Sequence, residues 1–190
     1  CMTLTATTEL GTQQWIDRIL AASGASPMLI MAMITGLMAV GRYFAGPVIH
    51  RLNPVGVLLS SAVIATAGIY SMSIATGSAV YFSAILFAIG VTYFWPTMIG
   101  FIAEYVPETG ALGLSLIGGA GMFAVSLWNP VIGQWIDSAR VQATSVTTNA
   151  LEAELLAGQS VLENLTLFPV VLIFAFALLY FYMNKRSATK

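Results

Sequence analysis

The sequence predicts an all-α, polytopic membrane protein, a bundle of five full spanning helices plus the end of a sixth, and three observations lead there. The 190 residues are 58% hydrophobic and only 8% charged, and the mean hydropathy is +0.86; a water-soluble core has no room for that much apolar surface. Uncharged runs separate Arg18 from Arg42, Arg51 from Glu104, Glu108 from Asp137 and Glu163 from Lys185. Each reaches the roughly 20 residues that a helix needs to cross about 30 Å of hydrocarbon, and the second is long enough for two. Finally, the runs are continuously apolar rather than alternating, and lipid admits no unpaired backbone, so helices rather than barrel strands are implied.

Residues 1–15 read as the end of a helix that begins upstream. "TATTELGTQQWI" is too close to the chain start to follow a complete span, and Trp15 stands where an interfacial aromatic belongs. An N-terminal truncation is therefore expected. The alternative, a lipidated Cys1 of a processed lipoprotein, fits a polytopic body poorly. A lone cysteine excludes an internal disulfide. Within this segment Thr5, Glu9 and Gln13 recur every four residues, so a helix lines them up toward the bundle interior. A carboxylate in a span costs about 2.5 to 3.5 kcal/mol and marks a functional candidate. The competing reading keeps Glu9 hydrated near the outer surface.

The full spans are expected at Pro27–Phe44, Pro54–Ile74, Ala79–Glu104, Gly110–Ile136 and Thr166–Met183, the second and third divided by the turn Thr76-Gly77-Ser78. Basic residues orient them. The turn after the first full span carries Arg42, His50 and Arg51, and the tail carries Lys185, Arg186 and Lys190. Both belong on the cytoplasmic side of the plasma membrane. Four spans lie between them, an even number, so the two regions share a side and the segment 137–165 is outside. Its charges, Asp137, Glu152, Glu154 and Glu163 against Arg140, sum to minus three. Asn149 and Ser160 each precede a glutamate by three, as in a capping box, and Gly158 suits a helix end, so two short surface helices are expected in this outer loop.

Two motifs bear on function. "GRYFAGPVIHRLNP" places Gly41, Arg42, Gly46 and Arg51 at a cytoplasmic turn, where glycines permit close helix approach and arginines meet phosphates, helix C-termini or a carboxylate. Plain positive-inside anchoring is the alternative. "YFWPT" places Tyr93, Trp95, Pro96 and Thr97 in one turn near the middle of a span. Pro96 removes a hydrogen bond and Gly90 a side chain, loosening the helix there. Aromatic rings with hydrogen-bonding tips suit a sugar, whereas packing around an ordinary proline kink is the competing reading.

These stretches resemble the major facilitator superfamily of secondary transporters. The loop pattern G-R-x-x-x-G-x-x-x-D-R-x-G of that family is met by Gly41, Arg42, Gly46 and Arg51, with His50 in the acidic position and Asn53 in place of the last glycine. "FWPTMIGFIAEYVPETGALGLSLIGGAGM" and "NPVIGQWID" are similar to its tenth and eleventh helices, in a flavour closest to fucose:proton symporter-like sugar transporters. The resemblance implies the C-terminal six-helix half, a missing N-terminal six-helix half as partner, and alternating-access transport of a small polar solute. A proton or a sodium ion as coupling ion stays open. "GPVIHRL" and "NPVIGQW" echo one another as an inverted repeat would.

Substrate-facing candidates are thus Glu9, Gln13, Tyr93, Trp95, Thr97 and Asn129, the last beside Pro130 and Trp128. Glu104 is expected at the inner end of its span as the partner of Arg42 or Arg51 in a cytoplasmic latch. Gly110, Gly113, Gly118, Gly119 and Gly121 read as a sliding helix contact, and the final span, apolar all round, as a lipid-facing scaffold. One His and one Cys with no ligand or nucleophile–base constellation argue against an enzyme, a metal site or any cofactor. A net charge of −1 argues against nucleic acid. A non-transporting structural or channel-type subunit remains the alternative function, although no charged ring or filter-like run is present.

Overall fold

The computed structural model describes residues 1–46 and 53–187, with side chains through 183. The described residues are helical, with no strand among them. Helix α1 (Met2–Ala6) runs through a wider π-helical turn (Thr7–Gly11) into α2 (Thr12–Ile19). Then follow α3 (Pro27–Tyr43), α4 (Pro54–Ile74), α5 (Ala79–Thr92), α6 (Phe94–Tyr105), a 3-10 turn (Pro107–Thr109), α7 (Gly110–Val146) and α8 (Ala150–Ser187). Among the described residues four segments are long and apolar enough to cross a membrane: Pro54–Ile74, Ala79–Tyr105, Pro107–Val146 and Ala150–Met183. Helix α3 is apolar too but has 17 residues, about 25 Å at 1.5 Å per residue.

Local chemistry sets the helix starts. Pro27 and Pro54 each occupy the first turn, where a missing N–H costs nothing. Asn53 caps α4, its Oδ1 accepting from the Val55 N–H at 3.2 Å. The short α4–α5 connection is a glycine turn: Gly77 has φ +60°, and its N–H donates to the Ser23 carbonyl at 2.7 Å. That bond ties this turn to the one between α2 and α3.

Helices α4 and α5 form a closely packed antiparallel pair. At Gly68 a Cβ would fall on the Phe87 backbone, and at Gly90 on that of Ala65. Gly90 is therefore a contact glycine and not a point of looseness. The core lies around this pair and takes in Leu58, Ile69, Phe87, Val91 and Phe94, with Ile30 and Ile34 of α3 against it.

Helix α8 docks along α4 and α7 and carries a buried stripe, Leu165, Phe168, Leu172 and Phe176, at the three- and four-residue spacing of one helix face. The reading of this span as lipid-facing all round is thus corrected: Phe174, Leu178 and Phe181 are exposed, and the opposite face is core.

The outer loop expected at 137–165 is also corrected. Helix α7 continues to Val146 and α8 begins at Ala150, so the segment is a helical hairpin closed by three residues. Asn149 does cap, its Oδ1 accepting from the Leu151 N–H at 3.1 Å, whereas Glu152 accepts from the Thr147 hydroxyl at 2.9 Å and not from the cap. Ser160 and Gly158 lie inside α8. Gly158 packs against the Ile19 carbonyl, which its missing Cβ makes room for. Arg140 clasps the two arms through Glu154, with Nε 3.2 Å from Oε1.

Of the expected glycine contact on α7, only Gly121 meets another helix: a Cβ there would lie 3.2 Å from that of Ala6. Gly110, Gly118 and Gly119 have nothing within 4 Å, and Gly113 faces Thr109 of its own turn. The first copy of the inverted echo spans residues 46–52, and all of it but Gly46, including Pro47, His50 and Arg51, lies outside the described residues.

Candidate functional site

The polar groups buried in this apolar bundle concentrate around the π turn. Thr5, Thr7, Thr8, Glu9 and Thr12 are all buried. Thr7 and Thr8 donate their hydroxyls to the Thr3 and Leu4 carbonyls at 2.8 and 2.7 Å. Such back-bonding competes with the regular ladder and accompanies local unwinding. The widened turn carries Glu9, whose side chain is 2% exposed.

Glu9 is ion-paired. Arg42, near the end of α3, reaches it with Nη2 2.6 Å from Oε1. The same guanidinium donates from Nε to the Thr92 carbonyl at 3.1 Å, the last residue of α5. Gly41 makes this seat possible: a Cβ there would stand 2.6 Å from Thr92 Cγ2. Thr92 is itself fixed, its hydroxyl donating to the Ala88 carbonyl at 2.5 Å. One cation thus holds the π turn and the end of α5 together. Breaking a buried pair by removing one partner costs about 3–5 kcal/mol, and solvent screening reduces that here because the Arg42 side chain is 37% exposed.

This arrangement corrects the expected cytoplasmic latch. Arg42 pairs with Glu9, while Glu104 is exposed on α6 and has no ion pair among the described residues. The sequence places Glu104 and Arg42 at the same membrane level. The chain nevertheless turns Arg42 inward toward Glu9, the one buried carboxylate among the described residues, where its charge has most to compensate. Arg51 lies outside the described residues, and Gly46 has nothing within 4 Å.

The remaining candidates fall into two groups. Gln13 donates from Nε2 to the Met38 sulfur at 3.3 Å, on the α3 side of the site. Tyr93 is the half-buried residue at the break between α5 and α6, with φ −96° and ψ 0°. Trp95 is partly buried and packs on the core, and Thr97 is fully buried. Asn129 of α7 accepts from the Trp15 indole N–H at 3.3 Å, and the Trp15 ring lies over Gly133, 3.5 Å from where a Cβ would be. Trp15 therefore turns toward α7. Arg18 covers its ring at 5.6 Å. In a separate cluster Phe168 meets Trp128 edge-to-face and stacks with Trp135.

Among the described residues three buried side-chain polar atoms have no hydrogen-bond partner: Glu9 Oε2, Thr12 Oγ1 and Thr97 Oγ1. Each is a place where a bound polar group would gain a bond that the protein leaves open. Thr12 was missed in the sequence, because the four-residue spacing of Thr5, Glu9 and Gln13 assumes an unbroken α-helix. The pair Thr7-Thr8 immediately before Glu9 was the available signal. No group of three or more metal-ligating side chains occurs among the described residues.

Comparison with protein-family models, with curated proteins and with solved structures gave no match.

Proposed function

We propose that this chain is a membrane-embedded half-bundle of a secondary transporter, which binds a small polar solute, a sugar by class, and moves it by alternating access together with a second six-helix half. The observation that carries the reading is the buried Glu9–Arg42 pair. Glu9 lies ten residues before Ile19, the end of α2, about 15 Å along a helix and so half the depth of a bilayer. A structural helix gains nothing from a carboxylate there, whereas solute and ion sites of carriers are built at that depth from interrupted helices.

Two backbone interruptions, the π turn and the break at Tyr93, support the reading. So do the unpartnered hydroxyls of Thr12 and Thr97 and the ring-bearing turn with Tyr93 and Trp95. The exposed apolar faces of α3 and α7, with Leu37, Val40, Leu116 and Phe123, fit lipid and a companion bundle. The C-terminus is placed in the cytoplasm and the 137–165 hairpin outside by the basic residues of the turn and tail.

The test is binding of hexoses, hexitols and amino acids to the detergent-solubilised carrier comprising this bundle and its companion half. A hexose or hexitol is expected to bind. Trp95→Ala is expected to weaken it by about 1 to 3 kcal/mol, the loss of one aromatic platform or hydrogen bond. Trp95 also packs on the core, so the variant melts lower. Unchanged affinity with a lowered melting temperature returns the turn to packing and removes the case for a sugar.

A further inference from the structure

The break between α5 and α6 has a chemical cause that links it to Glu9. Proline has no N–H, and the one absent at Pro96 is the donor that a continuous helix would aim at the carbonyl four residues earlier, Thr92. The neighbouring carbonyl keeps its helical donor, since the Thr97 N–H bonds to the Tyr93 carbonyl at 3.1 Å. The vacated Thr92 carbonyl is the one that accepts from Arg42 Nε. The guanidinium is a rigid planar fork, so anchoring Nε fixes where its other nitrogens point. Nη2 points at Glu9.

We infer that Pro96 is a positioning residue for Glu9: it leaves the Thr92 carbonyl open, and that carbonyl anchors the Arg42 guanidinium that holds the carboxylate. Among the described residues no other charged side chain is paired with Glu9. Arg42 is the one cationic side chain in ion-pair distance of Glu9 among the described residues. Of the elements packed on the π turn, α1 carries no charged side chain. Those of α2, Asp17 and Arg18, lie two turns further on. Those of α7 and described in α8, namely Asp137, Arg140, Glu152, Glu154 and Glu163, belong to the outer hairpin.

The "YFWPT" turn and Glu9 thereby share a single cation. A rearrangement that moves Thr92 away from α3 breaks the Arg42 bond to that carbonyl and loosens its hold on the carboxylate. Under the transport reading, on which this consequence rests, the state of the solute-facing turn is passed to Glu9 without any direct contact between them.

The test reads Glu9 itself and needs no solute. A hydrophobic carbodiimide is reacted with the purified protein in detergent at fixed pH, and adduct at Glu9 is followed by mass spectrometry, with Glu9→Gln as the blank. Pro96→Ala and Pro96→Gly both restore the N–H. Each is expected to raise the labelling rate roughly tenfold, the effect of losing one hydrogen bond to a charged donor. Arg42→Lys, whose ammonium is not a fork, is expected to raise it as well, and Pro96→Ala is expected to add nothing in that background. Gly41→Ala, which pushes Arg42 off Thr92 without touching Pro96, is expected to match Pro96→Ala.

Parent-like labelling in both Pro96 variants, while Arg42→Lys labels fast, overturns the inference; so does full additivity of Pro96→Ala and Arg42→Lys. If neither Pro96 variant folds, Gly41→Ala decides, and parent-like labelling there overturns it too. Loss of hexose binding with this labelling pattern intact would remove the transport reading and leave the role of Pro96 standing.

Discussion

Two glycines of one helix should respond to alanine with opposite signs. Gly41 and Gly36 both lie in α3. At Gly36 a Cβ meets nothing within 4 Å, whereas at Gly41 it would stand 2.6 Å from Thr92 Cγ2 and 3.6 Å from Thr92 Cβ. Carbon atoms attract best at about 3.5–4.0 Å, so Gly41→Ala needs roughly 1 Å of extra room. Thr92 cannot simply turn away while its hydroxyl is bound to the Ala88 carbonyl. The helices must part instead, which stretches the 3.1 Å bond from Arg42 Nε beyond hydrogen-bonding range. Overpacking of this kind costs about 1–3 kcal/mol. Gly36→Ala meets no such obstacle and gains about 0.5–1 kcal/mol from the reduced freedom of the unfolded chain. Thermal melting in one detergent reads both, with Gly41→Ala low and Gly36→Ala at or above the parent. Adding Thr92→Ser, which removes Cγ2 and keeps the hydroxyl, should recover most of the Gly41→Ala loss. A Gly41→Ala protein that melts with the parent, or a loss that Thr92→Ser leaves untouched, refutes the close-approach argument.

The hairpin gives a second packing prediction. A side chain at position 158 collides with the Ile19 carbonyl, so Gly158→Val should destabilise by about 1–3 kcal/mol; a neutral effect would mean the two elements do not cross there. Orientation is tested by cysteine labelling in a Cys1→Ser background, needed because Cys1 is exposed. A cysteine replacing Ser187 should react with impermeant reagents from the cytoplasmic side alone, and one replacing Ser145 from outside alone. The reverse pattern overturns the assignment.

What the sequence conveys and what it hides follow from different physics. Apolar length is a property of the chain read in one dimension, and the starts at Pro27 and Pro54 depend on neighbours in sequence, so both can be read directly. The outer segment cannot, because Asp137, Arg140, Glu152 and Glu154 mark where lipid would end and not where a helix ends; a helix continues into water as readily when its arms pair. Small residues mislead for a related reason. A run of glycines on α7 looks like a contact, yet five glycines spread around one helix face several directions, and a single one meets a neighbour. The pairing of Arg42 with Glu9 was out of reach because the candidate carboxylates differ in burial, which only the packed bundle defines. Thr12 was hidden by the π turn, which rotates every residue after it relative to an ideal helix.

That π turn and the break at Tyr93 are not independent irregularities. A helix in an apolar environment keeps its backbone bonded internally because an open carbonyl there is costly, yet the chain departs from the regular ladder twice, in the π turn around Glu9 and at Thr92, where Pro96 offers no N–H. The first departure is met locally, by the Thr7 and Thr8 hydroxyls donating back to the Thr3 and Leu4 carbonyls, and the second by the Arg42 guanidinium at Thr92. Arg42 also neutralises the carboxylate that the first departure carries. If the opening at Thr92 were merely a tolerated defect, the nearest cheap remedy would be local, as it is at the π turn and for Ser115 and Ser126, whose hydroxyls bond within their own helix. Instead it is satisfied by a charged side chain from a third helix, fifty residues away in sequence. A packed bundle holds such a bond in one arrangement of its helices, so a shift between α3 and α5 exchanges two polar contacts at once. That is the kind of paired, all-or-none change on which a two-state carrier depends.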